Sequence, residues 1–544
     1  MKTKKIILIV ILLLAAFLRL FNLANFPTGI NADEAAIGYN AYSLIETGKD
    51  EHGASWPIHF KSFGDYKPGL YFYLVLPLVK FFGLNAWSVR LPSALLGILS
   101  VFLIYLLVKE LFKNEWWGIL SAGMLAISPW HLHFSRGGWE VNVATTFILL
   151  FVLFFVKSLK KISFLIPAGL FLILSLYTYH SARVVALFLT LALVLFYWKN
   201  IFQKKNIKLV STIIIVGFLF LIPLIISFVG PAGTARFSGV GLFADSGPLW
   251  RVNELRVEHG SVASLSTRLI HNRFVGYGVA FLENYFDHFE GNFLFISGDV
   301  IPRSRVPETG QLYLFEIPLF LLGLYFLIRD KLKGKIVLFI WLFMGPVAAA
   351  LTFQTPHALR SHNMVIPLAI ISAYGLYNLF SWLKKQKKIF VIFGSLLIAI
   401  LISWNVGRYL HQYYVHYPKT YPFAWEEGFD ELTSYIEENE DKYEKIYVTD
   451  KYDQPYIIFL FYLKYPPSLF QREVQLTPPD KFGFSTVRDF GKFHFEKIDW
   501  PTLKDKKGSL VIGTDEEIPK SAKIVETIYF RNNKPAFKIV ETEN

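Results

Sequence analysis

Residues 6–40 read IILIVILLLAAFLRLFNLANFPTGINADEAAIGYN. Positions 6–23 are apolar apart from Arg19 and Asn22, a run of the length that crosses hydrocarbon, roughly 17–25 residues. A basic stub (Lys2, Lys4, Lys5) precedes the run, but no small-residue cleavage site follows, so it reads as a retained span and not as a removable signal. Just past it, Asp33 and Glu34 stand side by side at the head of a short helical stretch, with Asn31 as its cap and Gly48 as its stop. A membrane span that delivers two adjacent carboxylates to the bilayer surface is the pattern on which the rest of the reading turns.

Working outward, further apolar runs fall at about 92–108, 116–130, 141–156, 163–178, 184–198, 209–229, 313–328, 336–351, 364–382 and 389–405. The expected fold is an all-α polytopic membrane protein of about 11 transmembrane helices. Composition agrees: only 18% of the 544 residues are charged, against about 25% in soluble chains. With the N-terminus in the cytoplasm, the inner segments 2–5, 109–115, 157–161, 198–208, 329–335 and 384–388 hold 20 Lys and Arg, and the short outer loops 131–140, 178–183 and 352–363 hold three. That asymmetry sets the orientation and accounts for most of the +13 formal charge without nucleic acid as a partner. The expected location is the plasma (inner) membrane, multi-pass, with the C-terminus outside. The absence of cysteine excludes disulfides and thiolate metal sites.

Three long stretches then lie on the outer face, about 24–91, 230–312 and 406–544. The last changes abruptly to mixed-charge sequence, which divides the chain into a transmembrane domain, 1–405, and an outer domain, 406–544. In the latter, helical patterns (Trp425–Glu440, Pro455–Leu463) alternate with strand patterns (Lys445–Asp450, 509–514, 523–530, 535–541), predicting a small α/β domain.

The chemistry concentrates on the outer face. Asp33 is placed to take a proton from an attacking hydroxyl, although helix capping and dipole complementation alone would also explain an acidic first turn. Lys67, held by Pro68 ahead of the aromatic helix 70–82, is either a snorkelling anchor or a phosphate contact. The loop 230–312 has seven arginines (Arg236, Arg251, Arg256, Arg268, Arg273, Arg303, Arg305) and no lysine, whereas 19 of the 20 inner-segment cations are lysine. Inner charges need only be hydrated points, but a planar guanidinium fork binds phosphate or carboxylate at two places. Structural ion pairs with the loop's eight acids are the competing use, and Arg303 and Arg305 are the favoured phosphate contacts. The short outer loops add His131, His133, Arg136 and Glu140, then Tyr179, His180 and Arg183, then His357, Arg360 and His362. Arg183 and Arg360 are candidate phosphate contacts; Glu140, Tyr179 and His133 are candidate site-lining residues. No cofactor is required; a divalent metal, if one is used, would fall to His131, His133 and Glu140, which lack zinc-type spacing. No P-loop, no GxGxxG before a helix and no intramembrane row of carboxylates is present.

Arg19-Leu20-Phe21 leading to Asp33-Glu34-Ala35, then Lys67-Pro68, then Arg90-Leu91-Pro92-Ser93-Ala94-Leu95, resembles the family 39 glycosyltransferases of the GT-C fold, which include protein O-mannosyltransferases and the lipid A aminoarabinose transferase. The resemblance covers about 10–110 closely, is looser further on, and leaves the C-terminal region unidentified. It implies an inverting transfer of sugar from a polyprenyl-phosphate carrier to a hydroxyl of a protein, lipid or wall polymer outside the cytoplasm. It also implies Asp33 as base and Lys67 as reader of the carrier phosphate, with Glu34 orienting the acceptor or Asp33 and tolerating Gln better than Asp33 tolerates Asn. Two departures stand out. Tyr66 and Gly69 flank Lys67-Pro68 where the family often has an acid and a second proline, and Glu140 stands where Asp is common. Other classes make different demands. A lipid or glycolipid flippase would want polar groups at mid-bilayer and inverted repeats, and a receptor or assembly subunit would be indifferent to Asp33 and Lys67.

Overall fold

A computed structural model describes residues 2–229, 241–260, 264–480 and 485–542 of the protein; Arg236 lies outside the described residues. The chain opens with α1 (Lys2–Leu20), α2 (Ala32–Thr47), the hairpin β1 (His59–Ser62) and β2 (Asp65–Pro68), and α3 (Leu70–Phe82). There follow α4 (Ala86–Phe112), α5 (Glu115–Ile127), α6 (Pro129–Ser135), α7 (Glu140–Ser158), α8 (Leu165–Leu176) and α9 (His180–Phe196). Later apolar helices are Ile207–Val229, Glu316–Arg329, Lys335–Met344, Val365–Leu383 and Lys388–His411.

Every expected apolar run therefore lies on a helix, and the protein is a multi-pass membrane protein. Among the described residues, five helices are long and apolar enough to cross: Ala86–Phe112, Glu140–Ser158, Lys204–Ser227, His362–Leu383 and Lys388–Thr420. The expected count is about eleven; among the remaining apolar helices α1 has 19 residues, whereas α5, with 13 residues, rises only about 20 Å at 1.5 Å per residue, less than the roughly 30 Å of a hydrocarbon core.

Helices Glu316–Arg329 and Val365–Leu383 pack backbone to backbone. A Cβ at Gly323 would strike the Ile371 carbonyl, and one at Gly375 the Leu319 carbonyl, the small-residue contact that lets helices associate where lipid supplies no hydrophobic drive. At one end of the bundle Lys4 and Lys109 meet Glu115 at 3.0 and 2.8 Å, and Lys160 meets Glu110 at 2.5 Å. Segments 2–5, 109–115 and 157–161 thus share one face, although such exposed pairs add little stability.

The C-terminal region forms a six-stranded sheet ordered β4-β5-β3-β6-β8-β7, where β3 is Lys445–Thr449, β4 Asp489–Phe490, β5 Phe493–Glu496, β6 Ser509–Gly513, β7 Ile524–Tyr529 and β8 Pro535–Glu541. The central strand β3 runs parallel to β5 and β6; the remaining pairs are antiparallel. The strands expected near 445, 509, 523 and 535 and the helices Phe429–Asn439 and Pro455–Tyr462 are present. The β4–β5 pair was not expected, because two- and four-residue strands around Gly491 give no periodic run.

This region sits on the first outer loop. Helix Pro455–Tyr462 packs on α2, where a Cβ at Gly38 would stand 2.6 Å from the Phe461 ring. The Tyr39 hydroxyl donates to the Tyr465 carbonyl (2.9 Å), and Ser485 N–H to the Phe63 carbonyl (2.9 Å).

Candidate active site

Asn31 caps α2, its side chain accepting from Glu34 N–H at 3.1 Å. Asp33 is thereby relieved of capping and sits in the first turn, 31% exposed, paired with the Lys67 ammonium. Lys67 comes from β2, opposite Phe60, is 12% exposed, and lies 5.2 Å from the Phe63 ring centroid. Burial works against its charge, but Asp33 above all, with Glu140 and Asp65, more than offsets that, and the Lys67 pKa stands above its ordinary value.

Glu34 points the other way. It is 1% exposed, and its two oxygens accept from Arg90 Nε and Nη2, each at 2.9 Å, with Gly138 N–H adding 2.7 Å to Oε1. Arg90 spends its other donors on the carbonyls of Leu23, Ala24, Pro27 and Gly29. One guanidinium thus fixes both the turn leaving α1 and the start of α2. Arg136 braces the same turn through the carbonyls of Leu18, Phe21 and Phe26. Glu34 is thus buried with both oxygens occupied.

Arg303 approaches Asp33 from the arginine-bearing stretch 230–312. Burial lowers its pKa, but Asp33 first, then Asp453 and Glu426, more than compensate. Its Nη1 is 3.6 Å from an Asp453 carboxylate oxygen. Its carbonyl accepts from His133 Nε2 at 2.8 Å and from the Tyr417 hydroxyl at 3.3 Å. That bond places the His133 proton on Nε2. Burial, reinforced by Arg136, pushes His133 down to about 4, so it stays neutral at pH 7.

The expected residues thus separate. Asp33, Lys67, Glu140 and Arg303 converge, with His133 behind Arg303 and Glu34 beneath Asp33. Arg183 stands at the base of the Lys67 hairpin, Nη2 at 2.6 Å from His59 Nε2, and Tyr179 is buried beside His180 in the same turn. Arg305 turns to the Tyr421 hydroxyl at 2.6 Å and to its ring. Arg360 donates to Thr352 Oγ1 at 2.7 Å near Asp299, whose carboxylate accepts from Ile301 and Ala358 N–H; this cluster braces the segment that carries Arg303. His131 Nδ1 faces Arg19 Nη2 at 2.7 Å, so the trio His131, His133 and Glu140 does not assemble. Among the described residues, no group of three His, Cys, Asp or Glu is arranged to hold a metal ion.

Asp453 and Glu426 went unremarked in the sequence. A usable signal existed for Asp453: it lies in the loop leaving β3, and loops at the carboxyl ends of parallel strands are where α/β sheets place ligand-binding residues.

Residues 66–224 match the family described as dolichyl-phosphate-mannose-protein mannosyltransferase. No curated protein matches the chain in sequence. Among solved structures, ArnT from Cupriavidus metallidurans bound to undecaprenyl phosphate is 11% identical, with a TM-score of 0.53 over 99% of this chain and 97% of that one. Its apo state gives 12% and 0.54 over 98% and 97%. The Archaeoglobus fulgidus oligosaccharyltransferase in complex with zinc and sulfate is 15% identical, with a TM-score of 0.50 over 84% of this chain and 61% of that one.

Proposed function

We propose that this protein, by that match and that fold a GT-C glycosyltransferase, moves a sugar from a polyprenyl-phosphate carrier to a hydroxyl acceptor on the outer face of the membrane, inverting the anomeric centre. The observation that carries the reading is a half-exposed carboxylate, Asp33, set between two cations, Lys67 and Arg303, at the surface end of the helix bundle.

The acceptor oxygen attacks the anomeric carbon as its proton passes to Asp33. The bond from that carbon to the phosphate oxygen breaks, and its electron pair leaves with the carrier phosphate. Lys67 and Arg303 hold the phosphate and stabilise the charge it gains, the largest single contribution such a site can make. Before donor binds, the Lys67 ammonium rests on Asp33; a phosphate draws it off and frees the carboxylate for the proton. Glu34, through Arg90, keeps Asp33 in register. No nucleotide is needed, because the leaving group is already a phosphate ester. The ArnT structure solved with undecaprenyl phosphate supports a carrier of that class.

Lys67→Ala should reduce turnover of a polyprenyl-phosphate sugar by about tenfold to a hundredfold, from the ~1.5–3 kcal/mol of a charge-assisted bond, with Lys67→Arg recovering part of it. Steady-state rates against donor concentration decide; an alanine variant with unaltered donor dependence would make Lys67 an interfacial anchor only.

The outer-face assignment rests on the lysine asymmetry, supported by the three lysine-bearing segments meeting at one end of the bundle. Single cysteines at Lys385 and Ser434, both exposed, should differ in whole cells: an impermeant maleimide labels the Ser434 site and spares the Lys385 site. The reverse pattern would invert the topology. Thr449 is fully buried in β3 and unsuited as the outer probe.

A further inference from the structure

Beside Arg303 a cleft of about 420 Å³ opens between three separate pieces of chain: Ile301, Pro302 and Arg303; Phe423, Ala424 and Glu426; and Lys451, Tyr452 and Asp453. Its size falls within the ~300–1,000 Å³ of small-ligand sites.

Two features mark it as built. Glu426 is 4% exposed, lines the cleft, and leaves Oε2 with no hydrogen-bond partner. A buried carboxyl oxygen without a partner is costly and needs an explanation. The backbone on both sides is also strained. Glu426 and Gln454 each have φ of 50°, a left-handed conformation that is unfavourable for non-glycine residues and clusters at functional sites. The cleft adjoins the reacting carboxylate, because Arg303 responds to both Asp33 and Asp453, and Asp453 to both Asp33 and Lys67.

We propose that this cleft is the acceptor subsite and that it takes the hydroxyl-rich ring of a saccharide, with one hydroxyl directed to Asp33. The proposal rests on the glycosyltransferase reading and adds to it the acceptor's class and the role of the C-terminal region. Carboxyls and a guanidinium bind neighbouring hydroxyls in pairs, while the Phe423 and Tyr452 rings offer apolar faces to ring C–H groups. Burial first, and then Asp453, holds Glu426 well above the usual carboxylate range. Its unpartnered Oε2 can accept from a sugar hydroxyl, and the raised pKa favours the protonated form, which could donate as well. The other charges at the cleft are Arg303, paired with Asp453 at 3.6 Å, and Lys451, occupied by Glu516 at 2.5 Å. The lining consists of two short 3-10 helices (Pro302–Ser304 and Pro422–Trp425) and the loop after β3, with no strand edge among these described residues on which an extended peptide could pair its backbone.

The test uses the full chain in lipid nanodiscs, with methyl glycosides of glucose, mannose and N-acetylglucosamine as probes and a Ser/Thr hexapeptide as the contrast. Saturation-transfer NMR should detect at least one glycoside on the native protein and lose it in Ala424→Trp, which fills the cleft. With a polyprenyl-phosphate sugar present, the same glycoside should accelerate donor consumption. Glu426→Gln and Phe423→Ala should each raise the glycoside concentration at half-maximal rate at least tenfold, while the donor concentration at half-maximal rate changes less than twofold. Phe423 is 49% exposed, so its truncation does not threaten folding. Binding or stimulation by the peptide alone, or glycoside binding that survives Ala424→Trp, overturns the subsite even if donor is consumed. Glycoside binding that obeys the variants while no donor is ever consumed leaves the subsite standing and sinks the proposed function.

Discussion

Asp33→Asn should lower sugar transfer at least about a hundredfold while thermal unfolding in detergent changes little. The two side chains have the same shape, and Asn31 already caps the helix, so the substitution removes a charge and a proton acceptor while the amide oxygen can still accept from Lys67. The expected stability cost is the lost favourable charge at a helix N-terminus, about 0.3–1 kcal/mol, together with the weakening of the Lys67 pair from ionic to neutral. Lys67 keeps the influence of Glu140 and Asp65 in the variant, so its ammonium is not stranded. Activity and unfolding should be measured on one purified sample with a polyprenyl-phosphate sugar. A variant that transfers at the native rate would exclude Asp33 as the base.

Glu34→Gln should behave in the opposite way, as a folding defect. Arg90 is fully buried, and among the described residues its anionic contact is the two-point pair with Glu34. An amide cannot answer both donors, since its NH₂ group would face the guanidinium N–H. Removing one member of a buried ion pair typically costs about 3–5 kcal/mol. Yield and unfolding temperature should therefore fall together with activity, and Arg90→Lys should not substitute for arginine, because an ammonium cannot serve a carboxylate and four carbonyls at once. A Glu34→Gln protein of native stability but without activity would return Glu34 to direct contact with the acceptor. This reverses the milder effect expected from the sequence, where Glu34 reads as orienting the acceptor or Asp33 and not as transferring the proton.

What separates them is the position of each on the helix relative to parts of the chain distant in sequence. Asp33 faces the β2 hairpin, and Glu34 faces α4 and the turn at Gly138. The same holds for the arginines. Composition showed that the stretch 230–312 prefers arginine, but Arg303 and Arg305, and Arg360 from the segment 352–363, differ in what surrounds them: Asp453 and the Asp33 charge for the first, Tyr421 for the second, Thr352 and the Asp299 brace for the third.

The sequence by itself determined the helical runs, their clustering of lysine at one set of ends, the acidic pair beyond the first span and the α/β character of the tail. These are local properties, set by hydropathy over roughly twenty residues and by period-two or helical alternation. Only the tertiary structure decided which acid is buried against Arg90 and which pairs with Lys67, which arginine feels the Asp33 charge, and that the C-terminal region brings Asp453 to Arg303. Those outcomes depend on contacts between residues far apart in sequence, such as Arg303 with Asp453 at 3.6 Å and Tyr39 with Tyr465, 426 positions apart. Burial and charge pairing at such contacts carry no signature in the order of neighbouring residues.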